Sequence, residues 1–338
     1  MFRIASLILV ALALPLSAAD YPAVLLKVDG AELTVYPPDA KTGYYRGSRF
    51  DWAGVIANLK IGENTLFGPW KNGHNPENND DITGPCEEFG MEAPLGYVEA
   101  AVGETFLKIG IGELEKPKEE KYRFFHNYKI VNTGTWRVSK VTGLPGESAS
   151  IEFRHTIRTK SGYAYHYKKT LSIASASEGK HLFLDLRHEL INTGEKTIET
   201  DYYNHNFFNV NAEPIGPRYR IEFPKVIAAT AESKFVAPAV LKEATFTFAA
   251  ALPAKESAFG WLTAPDGKPM GYDFEMIFAG KEKGQGVRMR VNGQGQTVSK
   301  FQLWSIPSCL CPEPFVNLKV EPGDSTSWMT TYHFRASE

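Results

Sequence analysis

Between His181 and Leu190 the chain alternates strictly: Leu182, Leu184, Leu186 and Leu190 fall on one face, and Asp185, Arg187 and Glu189 on the other. A two-residue period belongs to a strand with one face buried and the other in water, and a helix cannot present it. His188 shares the leucine face, where a core histidine bonded to a backbone carbonyl is expected. Similar runs recur from Val24–Val28 and Glu32–Tyr36, a hairpin around Asp29-Gly30, through Tyr97–Val102, Tyr163–Ile173 and Ile198–Val210 to Phe315–Val320 and Thr326–Phe334. Joints such as Leu144-Pro145-Gly146 and Asn192-Thr193-Gly194 separate them, and 29 glycines with 21 prolines favour turns over long helices. The one helical signal, within Glu232–Lys242, is interrupted by Pro238. No internal repeat is evident, which argues against solenoids and propellers. Roughly twenty short strands must then close into a barrel or stack as two sheets, and a large antiparallel all-β sandwich is the expected fold, as one domain over residues 20–338.

The first nineteen residues read as a secretory signal: Arg3, an apolar stretch from Ile4 to Leu16, then Ser17-Ala18-Ala19 before an expected mature start at Asp20. The stretch is shorter than the roughly 20 residues that span a bilayer, so a periplasmic or secreted protein without a membrane anchor is expected. With 37 basic against 39 acidic side chains and no basic block, the chain offers little to a phosphate backbone, which argues against nucleic acid as a partner. Three cysteines, Cys86, Cys309 and Cys311, leave two readings open: a bridge from Cys86 to one of the others, or three buried thiols. Cys309-x-Cys311 lacks the spacing of a zinc site, and no metal is expected.

Two residues in unusual settings stand out as candidate catalysts. His205 lies in Tyr202-Tyr203-Asn204-His205-Asn206-Phe207-Phe208. If that run is extended, Tyr203, His205 and Phe207 share one face, and rings beside polar groups suit sugars, whose C–H faces pack on aromatics while their hydroxyls need hydrogen bonds. Imidazole, with an unperturbed pKa of roughly 6.5, suits proton transfer. Glu313 lies in Cys311-Pro312-Glu313-Pro314, where the prolines stiffen an extended segment and so help to fix a carboxylate in place. Further candidate substrate contacts are Arg46 and Arg49 among aromatics, His74 in the polar Asn72–Asp81 loop, Glu87 in Gly84–Gly90, Asn204, and Trp304 on the approach to Glu313. Glu87 and Glu88 face opposite ways in an extended chain, so at most one enters a given site. No His-Glu-x-x-His, Gly-x-Ser-x-Gly, P-loop or dinucleotide fingerprint is present.

Several of these segments also carry a resemblance. Lys168-Lys169-Thr170-Leu171-Ser172-Ile173, Leu186 to Lys196 with its Asn192-Thr193-Gly194 turn, and Asn204-His205-Asn206-Phe207-Phe208-Asn209 follow in order, as do Cys311-Pro312-Glu313-Pro314 and Val320-Glu321-Pro322-Gly323-Asp324. That succession resembles the galactose mutarotase family, the aldose 1-epimerases and their relatives. The resemblance implies a galactose mutarotase-like supersandwich with a cleft for a mono- or oligosaccharide and no cofactor. It also implies that His205 protonates the ring oxygen while Glu313 takes the proton of the anomeric hydroxyl. A second histidine, which the family places in a His-Gly-Gly-type segment, has no counterpart in Gly84-Pro85-Cys86-Glu87-Glu88-Phe89-Gly90, and His74 is its candidate substitute. A non-catalytic sugar-binding module and a polysaccharide lyase or hydrolase are the rival expectations on the same fold.

Overall fold

The leucine-faced strand, His181–Asn192, alternates buried and wetter residues along its whole length and lies inside a ten-stranded antiparallel sheet. Its neighbours there are Ala164–Ala176 and the C-terminal strand Ser325–Ser337. A second, six-stranded sheet runs in the order Ala228–Ala229, Ala258–Thr263, Val298–Ile306, Cys309–Val320, Ile198–His205 and Cys86–Phe89. Leu171, Leu184 and Leu186 of the first sheet share one core with Tyr202, Phe301, Leu303 and Val316 of the second, which makes the two sheets a sandwich. The computed structural model describes residues 21–337 apart from positions 93, 142, 178, 236, 283 and 284. The segment read as a signal, residues 1–19, lies outside the described residues. Among the described residues every regular element is a strand, and no helix is long and apolar enough to cross a membrane.

The six-stranded sheet is covered on its other face as well. Phe50, Trp52 and Phe106 form a second core there with Cys86, Phe207, Cys309 and Cys311. Eight consecutive residues from Cys309 to Val316 are therefore buried, with no alternation. The stretch read from sequence as Phe315–Val320 is part of a longer strand that begins at Cys309, with Pro312 and Pro314 inside it. The three cysteines are buried free thiols.

Other expectations are corrected. Tyr97–Val102 forms a turn rather than a strand, with Val98 85% and Val102 61% exposed: its apolar residues find no partner strand. The helix expected within Glu232–Lys242 is replaced by the strand Ala239–Lys242, which pairs with Thr245–Phe248 at the edge of the large sheet, where a preceding proline is tolerated. His188 is a core residue as expected, but its Nε2 lies 3.1 Å from a Glu87 oxygen.

Glu87 belongs to a fully buried charged group between the sheets. Lys169 donates to its other oxygen, and Asp51, 3.8 Å from the same ammonium, accepts from Tyr167 at 2.8 Å. Burial works against the charge of Glu87, but Lys169 and His188 outweigh it and hold its pKa below the ordinary value. Burial pushes Asp51 up to about 7, so at acidic to neutral pH the group is one ion pair with neutral neighbours.

Gly54 admits Asp51 and its neighbours to this interior. Its φ is +69°, and a Cβ there would stand 2.4 Å from Phe153 Cε2 and 2.8 Å from Leu171 Cδ1. Gly54→Ala combines left-handed strain with overpacking and is expected to cost about 2 kcal/mol in urea unfolding. An unchanged midpoint would show that the Phe153 and Leu171 side chains yield freely.

Candidate functional site

Pairing register brings the histidine and the glutamate together. Tyr203 lies opposite Phe315, and Phe208 opposite Leu310 beyond a short unpaired stretch; the count is the same on both sides of it, which sets His205 level with Glu313. Their side chains meet with His205 Nε2 3.3 Å from Glu313 Oε1. The next strands extend the row, with Gln302 opposite Glu313 and Trp261 opposite Gln302. On the far side His205 is paired with Cys86. Pro312 and Pro314 supply no N–H to this part of the ladder, and the side-chain amide of Asn206 donates to the Pro312 carbonyl while accepting from Tyr332 Oη at 2.8 Å.

The pair opens into a cleft of about 450 Å³ lined by Arg49, Trp70, Asp80, Tyr203, Phe207, Trp261, Trp304 and their neighbours. That volume lies within the range of about 300–1,000 Å³ typical of small-molecule sites. Phe207, at φ +40°, stacks its ring on His205 with centroids 3.8 Å apart, and Trp304 meets the imidazole edge-on at 5.3 Å. These rings fix the imidazole plane. Glu313 Oε2 accepts from Gln302 Nε2 at 2.7 Å, which fixes the carboxylate. Glu313 Oε1 and His205 Nδ1 have no hydrogen-bond partner, and the 3.3 Å approach of His205 Nε2 to Oε1 lacks bonding geometry. His205 is 7% and Glu313 1% exposed. Burial, opposed in part by Arg49, drives the Glu313 carboxyl well above its ordinary range, and burial together with Arg49 drives His205 well below its own. Both shifts favour the uncharged form of each group.

Arg49 is held on all sides. Its guanidinium donates to Glu88 at 2.9 Å, Asp80 at 2.7 Å and Tyr203 Oη at 3.1 Å, with the Phe50 and Phe124 rings packed on it at 4.4 and 4.5 Å. Buried Lys108 neutralises the second Glu88 oxygen at 3.0 Å. The cleft therefore has a cation that orients Tyr203, and among its lining residues no cation left over for an anionic ligand.

Of the candidate residues, His205, Glu313, Arg49 and Trp304 line this cleft, and Arg46, His74, Glu87 and Asn204 do not. Arg46 bonds the Lys41 and Gly43 carbonyls and Glu77. His74 stacks on Tyr44 at 3.9 Å and bonds its carbonyl, so it does not stand in for a second active-site histidine. Glu87 points into the interior, and its neighbour Glu88 takes the cleft-side role. Asn204, on the opposite face from His205, donates to Tyr272 Oη at 2.8 Å within the core. Gln302, Asp80, Trp70 and Trp261 were missed. The available signal was the alternation of Phe259 and Trp261 and of Gln302 and Trp304 on adjoining strands, which becomes meaningful only once their pairing is known.

His205, Cys311 and Glu313 are the one group of described residues with donor atoms close enough together, within 4.8 Å, to hold a metal ion. Two of its three donors belong to the His205–Glu313 pair itself.

No protein-family model and no curated protein sequence matches this chain. Solved structures do. The chain is similar to a galactose mutarotase-like protein from Clostridium acetobutylicum, with a TM-score of 0.51 and 13% identity over 94% of this chain and 96% of that one. It is also similar to a candidate aldose 1-epimerase from Klebsiella pneumoniae, with a TM-score of 0.50 and 11% identity over 91% of this chain and 78% of that one. At such identities the likeness shows the fold: an all-β sandwich of the galactose mutarotase-like type.

Proposed function

We propose that the protein interconverts sugar anomers as an aldose 1-epimerase, with His205 and Glu313 as its acid and base. The observation that carries the reading is a buried imidazole and a buried carboxylate 3.3 Å apart at the base of an aromatic cleft, with the facing carboxylate oxygen unbonded. The sugar enters with its ring oxygen toward His205 and its anomeric hydroxyl toward Glu313, and reacts in the tautomer that carries the pair's one proton on His205 and leaves the carboxylate ionised. Glu313 Oε1 takes the hydroxyl proton, C1–O1 becomes a carbonyl, and the C1–O5 bond breaks with its electron pair going to O5. His205 supplies the proton that O5 receives. Rotation about C1–C2 presents the other carbonyl face, and the same two transfers in reverse close the ring. One proton circulates and none is consumed. With the signal read over residues 1–19, the activity belongs to the periplasm or the exterior of the cell.

A freshly dissolved α-hexose tests the reading by polarimetry. Rotation should relax faster than in buffer, in proportion to enzyme concentration, for at least one common hexose, and relaxation at the buffer rate across a broad panel would contradict the reading. Cleavage of acidic polysaccharides has less support, because Arg49 is already paired with Glu88 and Asp80. A binding module without catalysis predicts sugar affinity that survives Glu313→Gln and no rate at all.

The shared proton sets the pH profile. Adding a second proton requires charging His205, which burial opposes, so the acid limb lies below the ordinary imidazole value of 6.5. Removing the last proton requires ionising Glu313, which burial also opposes, so the alkaline limb lies above the ordinary carboxyl value of 4.5. A kcat/KM profile with its acid limb below 6.5 and its alkaline limb above 4.5 is expected. An acid limb above 6.5, or an alkaline limb below 4.5, would contradict it.

A further inference from the structure

We propose that the cleft has a second sugar subsite on Trp261, so that its preferred ligand is a neutral oligosaccharide with a free reducing end rather than a monosaccharide. This rests on the anomer-exchange reading for the placement of the reducing-end unit. A row of residues level with one another runs Cys86, His205, Glu313, Gln302, Trp261 across five neighbouring strands, with His205 and Glu313 joined by their side-chain approach. It closes at one end, where Cys86 is 2% exposed in the second core. At the other end it stays open: Trp261 and Phe259 are half-buried and line the cleft. Strands lie about 4.8 Å apart, so Trp261 stands roughly 10 Å from Glu313, the reach of one further sugar unit beyond the reacting ring.

Trp261 is also built as a platform. Lys300, held by Glu92, places its ammonium 5.2 Å from the Trp261 ring centroid and 4.6 Å from that of Phe315, and Phe259 meets the indole edge-on at 5.9 Å. A ring so supported offers a fixed apolar surface to the C–H face of a pyranose. The reacting unit needs none of this, because Phe207 and Trp304 already pack on His205 and Trp70 stacks on Phe207. Charge sets the class of glycan. Among the cleft-lining residues the one cation, Arg49, is paired twice over, while Asp80 and Glu313 are acids, so uronic, sulfated and phosphorylated sugars meet no free positive partner. Such ligands arise from hydrolysis of a glycosidic bond, which is the class of reaction that would supply them.

The test compares kcat/KM for a neutral reducing disaccharide with that for its reducing-end monosaccharide, in the wild type, Trp261→Ala and Trp261→Phe. The wild type should favour the disaccharide by about tenfold, the scale of one stacked ring. Trp261→Ala should bring that ratio close to one, and Trp261→Phe should keep most of it. A wild-type ratio near one, or a loss in Trp261→Ala shared equally by both sugars, would overturn the subsite. If neither sugar exchanges anomers faster than buffer, the activity reading fails by itself, and calorimetric titration of the same two sugars decides the subsite. Tighter disaccharide binding that Trp261→Ala abolishes supports it, and equal or absent binding overturns it.

Discussion

Glu313→Gln is expected to lower kcat for anomer exchange by about 10²–10⁴-fold, the usual contribution of a positioned acid or base. The amide is isosteric, and its oxygen can keep the bond that Glu313 Oε2 now accepts from Gln302 at 2.7 Å, so the strand and the cleft should survive. What disappears is a group able to hold and return a proton beside His205. Sugar affinity should therefore change far less than turnover, which separates catalysis from binding. His205→Asn should cost a similar factor, and the double variant little more than either single one, because the two residues pass one proton between them. Rates measured by polarimetry and affinities by calorimetry check this. A Glu313→Gln protein that keeps wild-type turnover would remove the carboxylate from the mechanism.

Lys169→Met is expected to destabilise the fold by about 3–5 kcal/mol, because it strands the Glu87 charge in the core with no cation beside it. Glu87 and Lys169 are both buried between the sheets, and His188 supplies only a neutral donor at 3.1 Å. The effect should reach the cleft indirectly, since Glu87 and Glu88 are neighbours on the strand Cys86–Phe89 and Glu88 bonds Arg49. Equilibrium unfolding in urea measures the cost. Adding Glu87→Gln to Lys169→Met should restore much of it, whereas a packing defect alone would not be rescued. The same group gives stability a sign with pH. Asp51 is raised from 3.8 to about 7, so the native state holds a proton there that the unfolded chain releases, and this contribution to stability falls as pH rises through that window. Glu87 works in the other direction: its lowered pKa gives stability that is lost as pH falls through the folded value.

How much of this could be read in advance depends on which strands keep one wet face. His181–Asn192 does, and its leucines announced the large sheet without ambiguity. Cys309–Val316 is covered on both sides, so period two vanishes, and the prolines around Glu313 looked like a loop entering a strand. Cys86–Phe89, buried at every position, was hidden for the same reason. Tyr97–Val102 had apolar residues without a partner and formed a turn. At the site, His205 and Glu313 stood out by chemistry and context, but their meeting depends on a register joining residues more than a hundred positions apart. Alternation separated Glu87 from Glu88 and Asn204 from His205, yet it did not say which face would be the cleft. That face is set by which side of the six-stranded sheet the N-terminal segments leave partly open. Arg46 and Arg49 are three residues apart, and only Arg49 turns toward Tyr203 and Glu88.

The central claim is that His205 and Glu313 flank the reacting end of one sugar. A crystal structure of the Glu313→Gln protein soaked with a neutral reducing disaccharide tests it most directly. The account predicts the ring oxygen within hydrogen-bond reach of His205 Nε2, about 2.6–3.2 Å, and the anomeric oxygen equally close to the residue 313 side chain. Sugar density elsewhere on the surface, or a sugar in this cleft with its anomeric carbon turned away from both side chains, would contradict it.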